Sequence, residues 1–202
     1  MSELKQADCA TVLIVAITPR SADGSIDLLG AAANVRYLVE SGANFIMPMC
    51  GTGLVYDATL EEYEAVVGTF MDAAAGKAFI VPGIGPGYGR TLEMGKIARS
   101  LGVAGAMVMP IVGPASAKGV EEGMTRIARD VQLPLLLYQR RLDIMPVAQV
   151  IRLCALDEVI GLKYAVDDLY AFTQINDAAG TRAAMVCGMA EDPALKYLAA
   201  GA

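Results

Sequence analysis

The sequence predicts an α/β fold with a parallel sheet, of the TIM or (β/α)8-barrel type, here with about seven βα units. Short apolar runs recur along the chain, and successive runs start roughly 24 to 34 residues apart, which is enough for a strand, a crossover helix and two short loops. Between these runs lie segments with helical spacing and helix-start residues. Strands buried on both faces read as continuous apolar runs, as these do.

Seven runs are the predicted strands of this sheet. In order they are TVLIVAIT from Thr11, NFIMPM from Asn44, AFIVPG from Ala78, AGAMVMP from Ala104, PLLLYQ from Pro134, VIGLKY from Val159 and AAMVCG from Ala183. Helix starts are predicted between them. They are a capping box from Thr59 to Glu62, a cap at Thr91, and an N-cap at Asp192 followed by Pro193 in the first helical position.

The length of the chain bounds the number of units. A closed (β/α)8 barrel usually takes about 250 residues, so seven units in 202 residues leave no room for an eighth strand. We expect residues 1–202 to form a single barrel domain that is incomplete at its C-terminus. Such a chain would be a piece of a longer barrel; the alternative is a sheet that closes in an unusual way.

Composition excludes several classes of function. A net charge of -6 without a basic cluster argues against a nucleic-acid partner. The four cysteines are far apart and form no C-x-x-C pair, so neither a zinc site nor a disulfide framework is expected. The N-terminus lacks signal-peptide features and no apolar run reaches about 18 residues, so we expect a cytoplasmic protein without a membrane span.

The chain contains no histidine. This excludes Ser-His-Asp and Cys-His catalysis, H-E-x-x-H metal sites and any mechanism in which imidazole is the general base. Proton transfer is left to carboxylates, tyrosine, lysine and cysteine. With no histidine ligands we expect no metal, and the Schiff-base hypothesis argued below needs no organic cofactor.

Lys163 interrupts the apolar run of the sixth predicted strand. Alternation places it on the same face as Gly161 and Ala165, whereas the bulky Leu162 and Tyr164 lie on the opposite face, under the helices. Lys163 is therefore predicted to point toward the barrel axis at its functional mouth. A lysine at a sheet edge, or one that extends its ammonium into solvent, is the alternative interpretation.

Tyr138 precedes Lys163 by one βα unit, so the two residues occupy equivalent late positions on adjacent strands. Neighbouring strands lie about 4.8 Å apart, which lets a phenol and an amine share a substrate. Burial lowers the pKa of an amine and frees its lone pair to attack a carbonyl and form a Schiff base. The tyrosine hydroxyl can then move protons to and from the reacting oxygen.

Glycine-rich turns at other strand ends are candidates for substrate binding. Gly51, Thr52 and Gly53 offer backbone N–H groups to a carboxylate, although a plain glycine turn explains them equally well. Gly188 follows the seventh run and is a further candidate for substrate binding. The loop from Gly83 to Arg90 fails the G-x-G-x-x-G dinucleotide pattern, and a phosphate site there is the weaker alternative to a simple βα loop.

Three motifs together resemble the dihydrodipicolinate synthase and N-acetylneuraminate lyase family of Schiff-base enzymes. They are CGTG followed by LEEYEAVV, LPLLLYQRR with Tyr138, and VIGLKYAVDDL with Lys163. The single threonine in GTG and the Y-x-R pattern after the fifth strand are similar to the 5-dehydro-4-deoxyglucarate dehydratase branch.

The resemblance implies an activity and a set of site residues. Lys163 would form an imine with a 2-oxo acid such as pyruvate, Tyr138 would be the proton relay, and the turn from Gly51 to Gly53 would hold the substrate carboxylate. Arg140 would be a second carboxylate anchor for a sugar diacid, although a surface arginine is an equally fair interpretation. The resemblance also implies a homo-oligomer, either a dimer or a tetramer.

The sequence departs from the family pattern at two sites besides the missing eighth strand. Leu54 stands where the family has a glutamate after the glycine turn. Ile111 and Val112 stand where the synthases have an aromatic residue that is donated across a subunit interface. These departures favour an alternative, a catalytically impaired member that binds a small acid or serves as an oligomeric scaffold. A phosphosugar-binding barrel is a further alternative.

Overall fold

The computed structural model describes residues 4–111, 113–189 and 192–202. Each of the seven predicted runs contains a strand, and the third also includes Gly83, the first residue of a further strand. The strands are β1 (Ile14–Val15), β2 (Phe45–Met47), β3 (Phe79–Ile80), β4 (Gly83–Ile84), β5 (Ala106–Val108), β6 (Leu135–Gln139), β7 (Val159–Tyr164) and β8 (Ala184–Cys187). The helices are α1 (Leu28–Glu40), α2 (Leu60–Ala74), α3 (Tyr88–Ser100), α4 (Ala117–Val131), α5 (Val147–Cys154), α6 (Leu169–Ala179) and α7 (Ala194–Ala199).

All strand pairs are parallel, in the orders β1-β2-β3 and β4-β5-β6-β7-β8. The third run divides into β3 and β4 because Pro82 has no N–H group to donate to a ladder. Hydrogen bonding nevertheless continues through it: the Val81 N–H donates to the Ile46 carbonyl at 3.0 Å, and the Met107 N–H donates to the Pro82 carbonyl at 2.9 Å. The chain thus forms one curved parallel sheet. Across the described residues β1 pairs with β2 alone and β8 with β7 alone, so the sheet keeps two edges.

The helices begin close to the positions that the sequence indicates, with two corrections. The capping box of α2 forms as predicted, with the Glu62 N–H donating to Thr59 Oγ1 at 3.1 Å and the Thr59 N–H donating to Glu62 Oε2 at 2.9 Å. The N-cap of α3 is Gly87 rather than Thr91, whose hydroxyl donates to the Gly87 carbonyl from inside the helix. The N-cap of α7 is Pro193, one residue later than predicted.

The end of β7 is held from the helix side by an aromatic cluster. Tyr164 is fully buried against Phe172 of α6 and Tyr197 of α7, with ring centroids 5.4 and 6.1 Å away. The Tyr164 hydroxyl donates to the Asp168 carbonyl at 3.0 Å, and the Tyr197 hydroxyl donates to the Val166 carbonyl at 2.7 Å. Both bonds pin the loop after β7, which fixes the strand end that carries Lys163.

The opposite end of the sheet is covered by the N-terminal segment. Leu4 is almost fully buried, and its N–H donates to the Ala104 carbonyl at 3.4 Å. The short 3-10 helix Gln6–Cys9 contacts β7 and β8. No helix within the described residues is both long and apolar enough to cross a membrane.

Candidate active site

The carboxyl ends of β6 and β7 bring Tyr138 and Lys163 side by side. The two residues are direct register partners in the β6–β7 ladder. Lys163 Nζ lies over the Tyr138 ring, 4.7 Å from the ring centroid. The predicted juxtaposition of phenol and amine is present, with the amine over the face of the ring.

Lys163 is partly buried, and its surroundings shift its titration. Desolvation by burial lowers the pKa of Lys163 below its ordinary value. A negative charge on Cys50 would act in the opposite direction, whereas the positive charge of Arg140 adds to the lowering. A larger fraction of the amine is therefore unprotonated at a given pH than for a lysine in water, which is the form that attacks a carbonyl.

Gly188 lies against the stem of Lys163. A Cβ atom at Gly188 would be 2.8 Å from Lys163 Cγ, 3.0 Å from Lys163 Cε and 3.1 Å from Ala165 Cβ. The Gly188 N–H donates to the Tyr164 carbonyl at 2.7 Å, which continues the β7–β8 ladder beyond Cys187. The described contacts of Gly188 therefore include the lysine side chain.

The turn Gly51–Thr52–Gly53 follows β2 as predicted. Its three N–H groups donate to no acceptor among the residues that the structure describes. The carbonyl side is anchored, because the Thr18 hydroxyl donates to the Gly53 carbonyl at 2.7 Å and the Leu54 N–H donates to the Gly51 carbonyl at 3.1 Å. Unused donors in such a turn suit an anion such as a carboxylate.

Gly53 has no room for a side chain, in contrast to Gly51. A Cβ at Gly53 would be 2.9 Å from the Ala16 carbonyl oxygen and 3.0 Å from the Met49 nitrogen, whereas a Cβ at Gly51 would meet nothing within 4 Å. We expect Gly53→Ala to lower the free energy of unfolding by about 1 to 3 kcal/mol, since backbone atoms must move. Urea unfolding followed by circular dichroism measures this, with Gly51→Ala as the matched control. Equal stability of the two variants would contradict the packing.

Cys50 connects this turn to the lysine. The thiol is fully buried, and desolvation raises its pKa to about 12, although the charge of Lys163 pulls the pKa down. Cys50 is therefore a neutral thiol near the amine and is a poor nucleophile. Gly51 directly follows Cys50, so the glycine turn with its unused N–H groups starts next to a residue that lies near Lys163.

Tyr56 is a residue of this region that was not predicted from the sequence. It lies on the 3-10 turn Val55–Asp57, and the Arg90 guanidinium fixes that turn by donating to the carbonyls of Val55 at 3.0 Å and Ala58 at 2.5 Å. Desolvation raises the pKa of Tyr56, while the charge of Arg140 lowers it. Its position between the glycine turn and the capping box was the available signal. A phosphate site in the loop from Gly83 to Arg90 loses support, because the Arg90 guanidinium is already bonded to these two backbone carbonyls.

Arg140 lies at the same mouth and is exposed to solvent. Its charge acts on both Lys163 and Tyr56, which places it near the amine and not on a remote face. Arg141 instead forms a bidentate pair with Asp143, at 3.0 and 2.6 Å. Among the described residues Arg140 has no salt bridge, so its guanidinium is available to an anion.

The departures from the family pattern fall near this mouth. Leu54 has a left-handed backbone (φ 56°) and a side chain that is 44% exposed. Ile111 is partly buried against the core, and Val112 lies outside the described residues. Nowhere in the described part of the chain do three or more potential His, Cys, Asp or Glu ligands cluster around a metal position.

Comparison with known proteins supports the family resemblance. The model of the dihydrodipicolinate synthetase family matches residues 8–202. The chain is 34% identical over 167 residues to the probable 5-dehydro-4-deoxyglucarate dehydratase 2 of Streptomyces coelicolor, covering 82% of this chain and 52% of the relative. It is 26% identical over 193 residues to the probable 5-dehydro-4-deoxyglucarate dehydratase of Bacillus licheniformis, covering 94% and 61%. The chain thus spans about half to three-fifths of these relatives.

A solved structure agrees with the sequence matches. The crystal structure of dihydrodipicolinate synthase from Bacillus clausii has a TM-score of 0.92 and 30% identity, covering 98% of this chain and 68% of that one. Its likeness identifies the parallel α/β architecture as TIM-barrel type. The chain therefore belongs to the dihydrodipicolinate synthetase family.

Proposed function

We propose that this chain carries the site of a class I Schiff-base lyase or hydro-lyase that acts on pyruvate or a sugar-derived 2-oxo acid. The observation that carries the proposal is the partly buried Lys163 amine over the Tyr138 ring, with a pKa lowered by desolvation. A lysine of lowered pKa beside a phenol is the pairing that covalent carbonyl catalysis needs. The proposed chemistry uses no metal and no organic cofactor.

In the proposed mechanism the unprotonated Lys163 amine attacks the keto carbon of the acid and forms a carbinolamine. The Tyr138 hydroxyl passes a proton to the leaving hydroxyl, which departs as water and leaves a protonated imine. The positively charged imine withdraws electrons, so the adjacent carbon can lose a proton to the Tyr138 phenolate, or the neighbouring carbon–carbon bond can break as a substrate hydroxyl gives its proton to that phenolate. Addition of water then releases the product and restores the amine.

Substrate binding in this proposal rests on the two anion sites at the mouth. The N–H groups of Gly51, Thr52 and Gly53 hold the carboxylate next to the keto carbon. Arg140 holds a second carboxylate at the far end of the substrate, because its planar fork suits bidentate recognition. Two anion-binding sites on either side of the reacting amine would suit a substrate with a carboxylate at each end. The sugar acid in the names of the dehydratase relatives is such a diacid.

The proposal is tested by trapping the imine. The 202-residue chain is incubated with pyruvate, or with a sugar-derived 2-oxo acid, and reduced with borohydride. Mass spectrometry of the peptides is expected to find an adduct on the peptide that contains Lys163. A folded chain that gives no adduct with either acid would overturn the proposal.

Arg140→Gln tests the second anchor. We expect it to weaken the trapping of 2-oxoadipate, a 2-oxo diacid, by about tenfold or more, because a charge-assisted hydrogen bond contributes about 1.5 to 3 kcal/mol. Trapping of pyruvate should fall less, since pyruvate has no second carboxylate and loses only the contribution of the Arg140 charge to the lowered pKa of Lys163. The matched control is Arg141→Gln, because Arg141 is held by Asp143. Equal losses with both acids, or in both variants, would contradict this role.

A binding protein without catalysis is the second candidate function. It is favoured by Leu54, which supplies an aliphatic side chain where the family has a glutamate. Its signature would be protection of the chain against heat by pyruvate without any reduced adduct. The homo-oligomer, the single domain over residues 1–202 and the cytoplasmic location stay predictions.

A further inference from the structure

We propose that Gly188 is a positioning residue for Lys163, and that its missing side chain creates the space in which the lysine stem lies. The catalytic part of this inference rests on the proposed Schiff-base function. From its place after the seventh run, Gly188 is predicted to bind substrate. Its contacts point instead to the lysine, because a Cβ would be 2.8 Å from Cγ and 3.0 Å from Cε of Lys163.

The backbone around Gly188 cannot readily move to make room for a side chain. The Gly188 N–H is bonded to the Tyr164 carbonyl at 2.7 Å, and β8 is in register with β7 up to the Tyr164 and Cys187 pair. On the other side, Ala165 Cβ would be 3.1 Å from an added Cβ. Because the ladder holds the backbone, the flexible lysine stem must yield to any side chain at this position.

The lysine therefore lies in a slot made by three consecutive strands. Tyr138 of β6 presents its ring to Nζ at 4.7 Å, β7 carries the lysine, and the backbone after β8 supports the stem. Such a slot limits the rotamers of a long side chain and holds the amine where a carbonyl can reach it. A side chain at Gly188 would push Nζ away from the Tyr138 ring and toward solvent.

The first test compares Gly188→Ala with Gly161→Ala. Both changes add a methyl group beside the β7–β8 ladder, but the Cβ of the control would meet Leu136 and Ala184 and not the lysine. We expect Gly188→Ala to lower the rate of pyruvate trapping about tenfold or more. The pH midpoint of trapping should also rise, because a lysine moved toward water regains its ordinary pKa.

The pH readout separates positioning from general damage to the sheet. The charged and titratable groups around the amine are Cys50, Tyr138 and Arg140, and neither variant replaces them. Gly161→Ala is expected to keep the midpoint of the unmodified chain. A Gly188→Ala variant with an unchanged midpoint and rate would overturn the inference, as would an equal upward shift in both variants.

The second test measures stability and does not depend on catalysis. Gly188→Ala is expected to lower the Tm by roughly 3 to 10 °C, because an overpacked site costs stability. Lys163→Ala removes both Cγ and Cε, so Gly188→Ala should lower the Tm much less in the Lys163→Ala background than in the unmodified chain. If Gly188→Ala alone does not fold, rescue of folding by Lys163→Ala carries the same meaning.

The two tests distinguish the failure of this inference from the failure of the proposed function. No adduct in the unmodified chain would overturn the Schiff-base proposal, while the stability cycle would still report whether Gly188 makes room for Lys163. A Tm loss that persists in full without the lysine stem would overturn the inference whatever the trapping shows.

Discussion

Lys163→Met is expected to abolish borohydride trapping of pyruvate and to lower any lyase turnover by about 10⁴-fold or more, because the nucleophile is removed. Methionine keeps an unbranched apolar stem, so it can occupy the slot between Tyr138 and Gly188 without leaving a cavity. The fold should therefore persist. Peptide mass spectrometry after reduction measures the adduct, and circular dichroism measures the fold.

Lys196 supplies the matched control. Its Nζ also lies over a tyrosine ring, 5.5 Å from the centroid of Tyr197, but it pairs with Asp167 at 2.8 Å and is half exposed. The hydrogen bond that Lys196 donates to Asp167 raises the pKa of Lys196, the opposite of the direction at Lys163. Lys196→Met should trap pyruvate as the unmodified chain does. Trapping that survives Lys163→Met would remove Lys163 from the mechanism.

The contrast between Lys163 and Lys196 explains why only Lys163 is proposed as the nucleophile. A carboxylate partner keeps an ammonium charged, and the lone pair stays unavailable. Lys163 has no carboxylate among the groups that shift its pKa; it has burial, a neutral thiol at Cys50 and a like charge at Arg140. Burial and like charge both favour the unprotonated amine, so the site can form imines nearer neutral pH than an exposed lysine.

The juxtaposition of Tyr138 and Lys163 was predictable because parallel strands repeat the same geometry. Residues one βα unit apart, at equivalent ends of adjacent runs, become register partners when no bulge intervenes between them and the mouth. The one irregularity of the β6–β7 ladder lies between Leu135 and Leu136, on the N-terminal side of Tyr138. The ladder is regular from there to the end of β7, so side chains alternate between its two faces and Tyr164 lies under the helices as predicted.

What the sequence did not reveal depends on contacts between distant segments. Tyr56 stands at the mouth because Arg90, from another βα unit, fixes the turn that carries it. The contact of Gly188 with Lys163 depends on how β8 lies beside β7, which no spacing rule encodes. The division of the third strand had a local signal, the proline at position 82, but only the pairing shows that β3 is in register with β2 and β4 with β5.

Tyr138→Phe is expected to slow imine formation by about 10² to 10⁴-fold, because proton transfer to the departing hydroxyl would fall to water. The substitution keeps the ring that lies 4.7 Å from Lys163 Nζ, so the position of the amine should persist. The rate should fall at every pH while the pH midpoint stays unchanged. This pattern differs from the one expected for Gly188→Ala, where the rate falls and the pH midpoint also rises.

Tyr164→Phe is the control that separates the relay from the general loss of a tyrosine hydroxyl. Tyr164 is the residue after Lys163, but it lies on the opposite face of β7, and its hydroxyl donates to the Asp168 carbonyl. Losing that bond should cost about 0.5 to 1.5 kcal/mol of stability and leave the trapping rate within about threefold. Rapid-quench borohydride trapping resolves the rates. A Tyr138→Phe chain as fast as the unmodified one would assign the proton transfer to another group, and the phenol of Tyr56 at the same mouth would be the next to replace.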